Sequence, residues 1–364
     1  MLYHPLSILA AIPLALAIPH HRSYFYAGGN YTLTSSGEHI YTNQIYVERL
    51  TPLNGTTQPH PIVFIHGVDQ TATNWLNKPD GKDGWASYFL SQGYECYLLD
   101  QAARGRSPWD NTTNGDLRKY TAEHIQELFT APERYAQWPQ AVLHTQWPGA
   151  GMMGDPVFDA YYASTVPSLA SNAEQETMMR VAGAALLSRI GQPVILVAHS
   201  QGGSMAWVIA DERPDLVRAV VAIEPSGPPF WNAKVFGAGP ARPYGLTETA
   251  LTYEPPVSDP ERDFVKQRIV SGSEAHDDCV LQAEDPSPRR LVFLGQIPVL
   301  LVTAEASYHA THDWCTVKFL KQSGVDVQHV QLGERGIHGN GHMVMVEKNS
   351  DEIAGVVANW MEEL

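Results

Sequence analysis

Basic charge, cysteine and long apolar runs are all scarce in this chain, and each scarcity excludes something. Lysine and arginine number 24 against 39 aspartates and glutamates, a formal net charge of −15. No basic run or patch offsets this balance, which argues against nucleic acid as a partner. Charged residues make up only 17% of the chain and apolar ones 44%, so a large core is possible and global disorder is excluded. No apolar run beyond the N-terminal segment is long enough to cross a membrane. The phosphate-cradling pattern G-x-x-x-x-G-K-S/T is absent, so Gly202-Gly203 is not a phosphate loop. Of the three cysteines, Cys96 sits in a buried-strand pattern and reads as a free core thiol. Cys279 and Cys315 lie in polar, loop-like surroundings where export would let them pair. Sequence leaves that pairing open.

What is present begins at the N-terminus. Met1-Leu2-Tyr3-His4-Pro5 precedes an apolar run from Leu6 to Ile18, and Ala15-Leu16-Ala17 has the small-x-small form of a cleavage site. Residues 1–17 therefore read as a secretory signal peptide, although the usual positive n-region is missing. A membrane anchor is the competing reading, but the run is short and broken by Pro5 and Pro13. Asn-x-Ser/Thr sequons at Asn30, Asn54 and Asn111 suit a secreted, extracellular glycoprotein.

Residues 18–364 read as one α/β domain with two insertions. Early strands are expected at Tyr31–Leu33 and Ile40–Leu50, joined by the turn Ser35-Ser36-Gly37. Apolar strands follow at 61–65, 94–99, 193–199, 216–223, 297–303 and 325–332. Helical periodicity falls between them at 85–92, 173–190, 204–212, 312–323 and 351–362. Strand, helix and strand at this spacing imply parallel pairing with right-handed crossovers. The alternation stops at about 108–172 and again at about 226–290. The first interruption is rich in Trp, Met and Tyr and reads both as a satellite core and as a lid or pocket wall. No internal repeat is visible.

The chemistry concentrates where apolar strands end. Val194–Ala198 runs into His199-Ser200-Gln201-Gly202-Gly203 and then directly into a helix, the context of a serine nucleophile elbow. Small residues are needed two before and two after the serine. Gly202 meets the second requirement, and Ala198 replaces the usual glycine at the first. Such a nucleophile needs a histidine base, a carboxylate to orient it, and donors aimed at the oxyanion. His342, in Gly336-Ile337-His338-Gly339-Asn340-Gly341-His342, is the expected base, with His338 its competitor. Glu224 and Glu305 each follow a strand, and either supplies a carboxylate in the order Ser, acid, His. The amides of Gln201 and Val68 are the expected oxyanion donors, each typically worth about 2.7–4 kcal/mol of barrier. His199 is expected to point away from Ser200 and to be structural. His309, His312 and Asp313, and also His276-Asp277-Asp278, are expected to be surface groups rather than a metal site. Asp69 and Gln70 are expected as solvated loop residues or pocket formers, and Arg104-Gly105-Arg106 as a brace for its turn.

Over nearly all of the mature length the chain resembles the α/β-hydrolase superfamily. The motifs I-H-G-V, D-Q-A-A-R-G-R-S, A-H-S-Q-G-G, A-I-E-P and G-N-G-H-M look like those of a group of bacterial and fungal esterases. In that group, as in fungal zearalenone-type lactonases, the acid is a glutamate ending the strand after the elbow. The resemblance implies a mostly parallel eight-stranded sheet with helices on both faces and lid or cap insertions. It implies Ser200 as nucleophile, Glu224 as acid and His342 as base, with Glu305 as the alternative acid. The implied activity is cofactor-independent hydrolysis of a carboxylic ester or lactone of a fairly apolar small molecule. Acyl transfer or lactonisation on the same triad, and a non-catalytic binding protein of the same fold, are the alternatives. Neither the substrate nor the oligomeric state follows from the sequence.

Overall fold

The computed structural model describes residues 18–364, so the expected signal peptide at 1–17 lies outside the described residues. Eight strands form the main sheet: β1 (His20–Leu33), β2 (His39–Pro52), β3 (Ile62–Ile65), β4 (Cys96–Leu99), β5 (Val194–His199), β6 (Val217–Ile223), β7 (Val299–Thr303) and β8 (Val327–Gln331). Their spatial order is β1-β2-β4-β3-β5-β6-β7-β8. The pairs β1/β2 and β2/β4 are antiparallel. Every other pairing is parallel.

The central strands are apolar on both faces because both faces are covered. Helices α2 (Asn172–Ile190), α3 (Gln201–Glu212) and α4 (Asp313–Gln322) pack Met179, Leu186, Met205, Ile209, Phe319 and Leu320 against one face. On the other lie α1 (Trp85–Ser91) and α5 (Ser350–Met361), with Trp85, Phe89, Ile353 and Val357 buried. Each such side chain contributes about 1.5–3 kcal/mol on leaving water. The Trp85 indole also donates to the Ser350 carbonyl, tying α1 to α5. Helix α2 starts at Ser171, whose hydroxyl caps the Glu174 amide, and stops at Gly191 with φ +75°. A left-handed C-terminal residue is what glycine permits.

Two expectations change here. Strand β1 begins at His20, eleven residues before the expected Tyr31. It is an edge strand whose side chains are mostly exposed, so it lacks the apolar alternation that marks a half-buried strand. Tyr24 and Tyr26 instead lie against Tyr46 on the surface of the hairpin. Cys279 and Cys315, left open by the sequence, are joined by a disulfide. It fastens the segment between β6 and β7 to α4, while Cys96 remains free and buried in β4.

Between β4 and α2 the chain makes only short elements, among them a two-residue strand pair (Leu117–Arg118 with Ser168–Leu169) and a helix at Pro156–Ala163. No helix among the described residues is long and apolar enough to cross a membrane.

Candidate active site

Ser200 stands at the turn from β5 into α3 with φ +55° and ψ −123°. A non-glycine residue there carries strain of about 1–3 kcal/mol, which its surroundings must hold. They do so tightly. The Ser200 amide donates to the Ile223 carbonyl of the neighbouring strand, and the Ser200 carbonyl accepts from Gly203 and Ser226. Gly202 faces the end of β3 so closely that a Cβ there would lie 2.6 Å from the Ile65 carbonyl and 2.7 Å from that of His66. That contact is the physical reason for a glycine two positions after the serine.

The next strand, β6, ends at Glu224, which is fully buried and has φ +46°. Its Oε1 accepts the Ala304 amide at 2.8 Å, and its Oε2 accepts the Ser307 hydroxyl at 2.7 Å. His342 Nδ1 reaches Oε2 at 2.6 Å. With the carboxylate as acceptor, Nδ1 carries the proton and Nε2 is left unprotonated. Burial pushes the Glu224 carboxyl up and the neighbouring Asp313 adds to this, while the Ala304 and Ser307 donors oppose it. Burial, then the nearby His199, His309 and His312, pushes the His342 imidazolium down. The resting imidazole is therefore neutral, the state in which Nε2 accepts a proton.

On the oxyanion side, Val68 and Gln201 line one cavity together with Ser200. The Val68 amide has no hydrogen-bond partner among the described residues. Gln201 is the first residue of α3, where an amide has no intrahelical acceptor. Buried Arg104 braces both loops at once, donating to the Gly67 carbonyl at 2.9 Å and to Gln201 Oε1 at 3.0 Å. Burial brings its pKa down to about 10, so it stays cationic at neutral pH. Arg106 is likewise a brace, held by Asp100 and Glu48.

The Ser200 hydroxyl makes no hydrogen bond to His342 among the described residues. The Tyr308 hydroxyl approaches Nε2 instead, at 3.3 Å. Its ring lies against Phe129, Trp138 and Phe236. The cavity in front measures about 150 Å³, and Tyr120, Phe129, Phe236 and Tyr308 form its aromatic side.

Glu305 is placed elsewhere. Its carboxylate binds His338 Nδ1 at 2.9 Å and the Gly339 amide at 2.8 Å, so the two competing candidates pair with each other, away from His342. His199 sits beneath the site, with Nε2 2.9 Å from the His342 carbonyl.

Several polar groups expected at the surface are buried. His309, His312 and Asp313 are at most 2% exposed. His309 Nδ1 pairs with Asp313 Oδ1 at 2.7 Å, and its ring lies parallel to that of His342 at 5.0 Å between centroids. Asp69 and Gln70 are buried as well: Asp69 accepts from the Tyr120 amide and the Ser168 hydroxyl, and Gln70 from the Gly67 amide. Asp277 is mostly buried and paired with Lys234. The insertions cover all of these positions, which is why their polarity misleads. Ser307 and Tyr308 were not anticipated at all. Their one signal is their place, a few residues beyond β7.

The model of the alpha/beta hydrolase family matches residues 62–356. The chain is similar to a probable secreted lipase, phiG, of Fungal sp. (strain ATCC 74256), with 48% identity over 341 residues, covering 94% of this chain and 89% of the relative. Among solved structures it is similar to a novel bacterial esterase, with a TM-score of 0.64 at 20% identity, covering 94% of this chain and 95% of the other.

Proposed function

The chain belongs to the alpha/beta hydrolase family, and from that premise we propose that it is a secreted serine hydrolase that cleaves carboxylic esters through an acyl-enzyme. The observation that carries this reading is the buried 2.6 Å pair of His342 and Glu224 beside the strained Ser200 elbow. The relative's description as a probable secreted lipase supports both the ester class and export. The cleavage-site pattern at Ala15–Ala17 supports export independently.

In this reading Ser200 Oγ attacks the ester carbonyl while His342 Nε2 removes its proton. Glu224 holds the imidazole by Nδ1 and stabilises the imidazolium that forms. The Val68 and Gln201 amides receive the oxyanion, in a site that Arg104 keeps rigid. The imidazolium then returns its proton to the leaving alcohol. A water activated by the same nitrogen releases the acid. Tyr308 now stands at Nε2, where the Ser200 hydroxyl must come, so the first proton transfer displaces that contact. Aromatic side chains on one side of the cavity favour esters or lactones with a flat or apolar portion.

Replacing Ser200 with alanine is expected to lower turnover of a 4-nitrophenyl ester by at least about 10³-fold, with circular dichroism unchanged. Activity that survives the substitution would remove the assignment.

A further inference from the structure

The protein carries a net charge of −15, yet no aspartate or glutamate lines the cavity at Ser200, whereas two arginines do. Arg118 comes from the short strand in the first insertion. It makes no ion pair or side-chain hydrogen bond among the described residues, and its guanidinium lies only over the Tyr120 ring, 5.2 Å from the centroid. Arg242 comes from the second insertion. Its Nε donates to the Pro228 carbonyl at 2.9 Å, and its Nη2 to the Trp231 carbonyl and to Asn232 Oδ1, leaving Nη1 without a partner among the described residues. Burial lowers Arg242 to about 10, so it too is charged at neutral pH. The side chain of Asn172 joins this wall, its Oδ1 holding Gln201 Nε2 at 2.8 Å.

A guanidinium with no carboxylate against it, as at Arg118, favours an anion and fits a carboxylate fork to fork. The cavity's 150 Å³ suits a short ligand portion rather than a long alkyl chain. We infer that the substrate is a small ester that itself bears a carboxylate, held by Arg118 in a cavity that Arg242 also lines, while the aromatic side takes its apolar part. This rests on the cavity at Ser200 being the substrate pocket.

The comparison that tests it is monoethyl succinate against ethyl succinamate, which differ by a carboxylate in place of a carboxamide of the same size. Ethanol release by the wild-type protein should favour the anionic ester by about 10- to 100-fold in kcat/KM, chiefly through KM, as one charge-assisted contact allows. Arg118→Gln should cut that preference at least about tenfold, Arg118→Lys should keep part of it, and added salt should weaken it. Melting temperatures of both variants report whether they fold. Ser200→Ala protein, titrated with the same two compounds by calorimetry, reads the anion site without turnover. Tighter binding of the anionic ester there supports the inference even if hydrolysis is never seen. Hydrolysis of both esters at equal rates, a preference that survives Arg118→Gln, or no binding preference in Ser200→Ala would overturn it.

Discussion

In the proposed mechanism Glu224 is the residue on which the chemistry turns, because a carboxylate with no exposed surface is costly unless each oxygen has donors. Ala304, Ser307 and His342 supply them. Glu224→Gln keeps the volume but replaces one acceptor oxygen with an amide donor, which forces the imidazole toward the wrong tautomer. By analogy with carboxylate removal from other triads, kcat on 4-nitrophenyl butyrate should fall by about 10³–10⁴-fold. Glu305→Gln should change it by less than about threefold, since Glu305 serves His338. The reverse ranking would hand the role to Glu305. The resemblance, and not the strand pattern, separated these two glutamates in advance, because both follow apolar strands. Ser200 and His342 stand out as candidates in the sequence for a local reason: each sits in a glycine-containing turn next to a run that can only be buried. His309 and Asp313 do not. A polar residue in a loop looks the same in sequence whether it meets solvent or packs, as His309 does, against Tyr308, His312 and His342.

At the scale of elements, the loop that carries His342 is held by Glu347 rather than by its own backbone. Glu347 accepts the Gly341 amide at 2.9 Å and Asn340 Nδ2 at 2.7 Å. It also meets His144 Nε2 at 2.8 Å, and His144 Nδ1 meets Glu133 at 3.0 Å. A histidine from the first insertion thus clamps that insertion to the loop of His342. Burial opposes charge on His144, but the hydrogen bonds of Glu133 and Glu347 outweigh it and raise its pKa to about 9. A folded-state value above the ordinary 6.5 means that the clamp's stabilisation is full below pH 6.5 and is lost as pH rises through 9. His144→Gln leaves the fully buried Glu347 without its cation and should cost about 3 kcal/mol near pH 6. The gap between the variant's and the wild type's melting temperatures should close by pH 9.5. A gap that stays constant with pH would show that shape, not charge, matters at this position. The clamp was not readable from sequence, since its partners lie 203 residues apart. The two-residue strands of the same insertion are too short to show a period.

For the whole molecule, the α/β pattern was legible because the central strands are apolar on both faces and helical segments recur between them, although α3 is buried all round rather than along one stripe. The mostly parallel eight-stranded sheet with helices on both faces agrees with what the resemblance implied. Harder to read was how the two insertions close over the strand ends. They bring Arg118, Phe129, Phe236 and Arg242 around Ser200 from segments with no common periodicity. In the proposed mechanism Ser200 is activated by His342 and Glu224, which only folding brings to it, so reactivity should belong to the folded protein alone. A fluorophosphonate, which phosphonylates an activated serine with loss of fluoride, reads this directly. Peptide mapping should find one label per native chain, on the peptide containing Ser200, and none after heat denaturation. Native protein that takes up no label, or takes it up at another residue, would contradict the account.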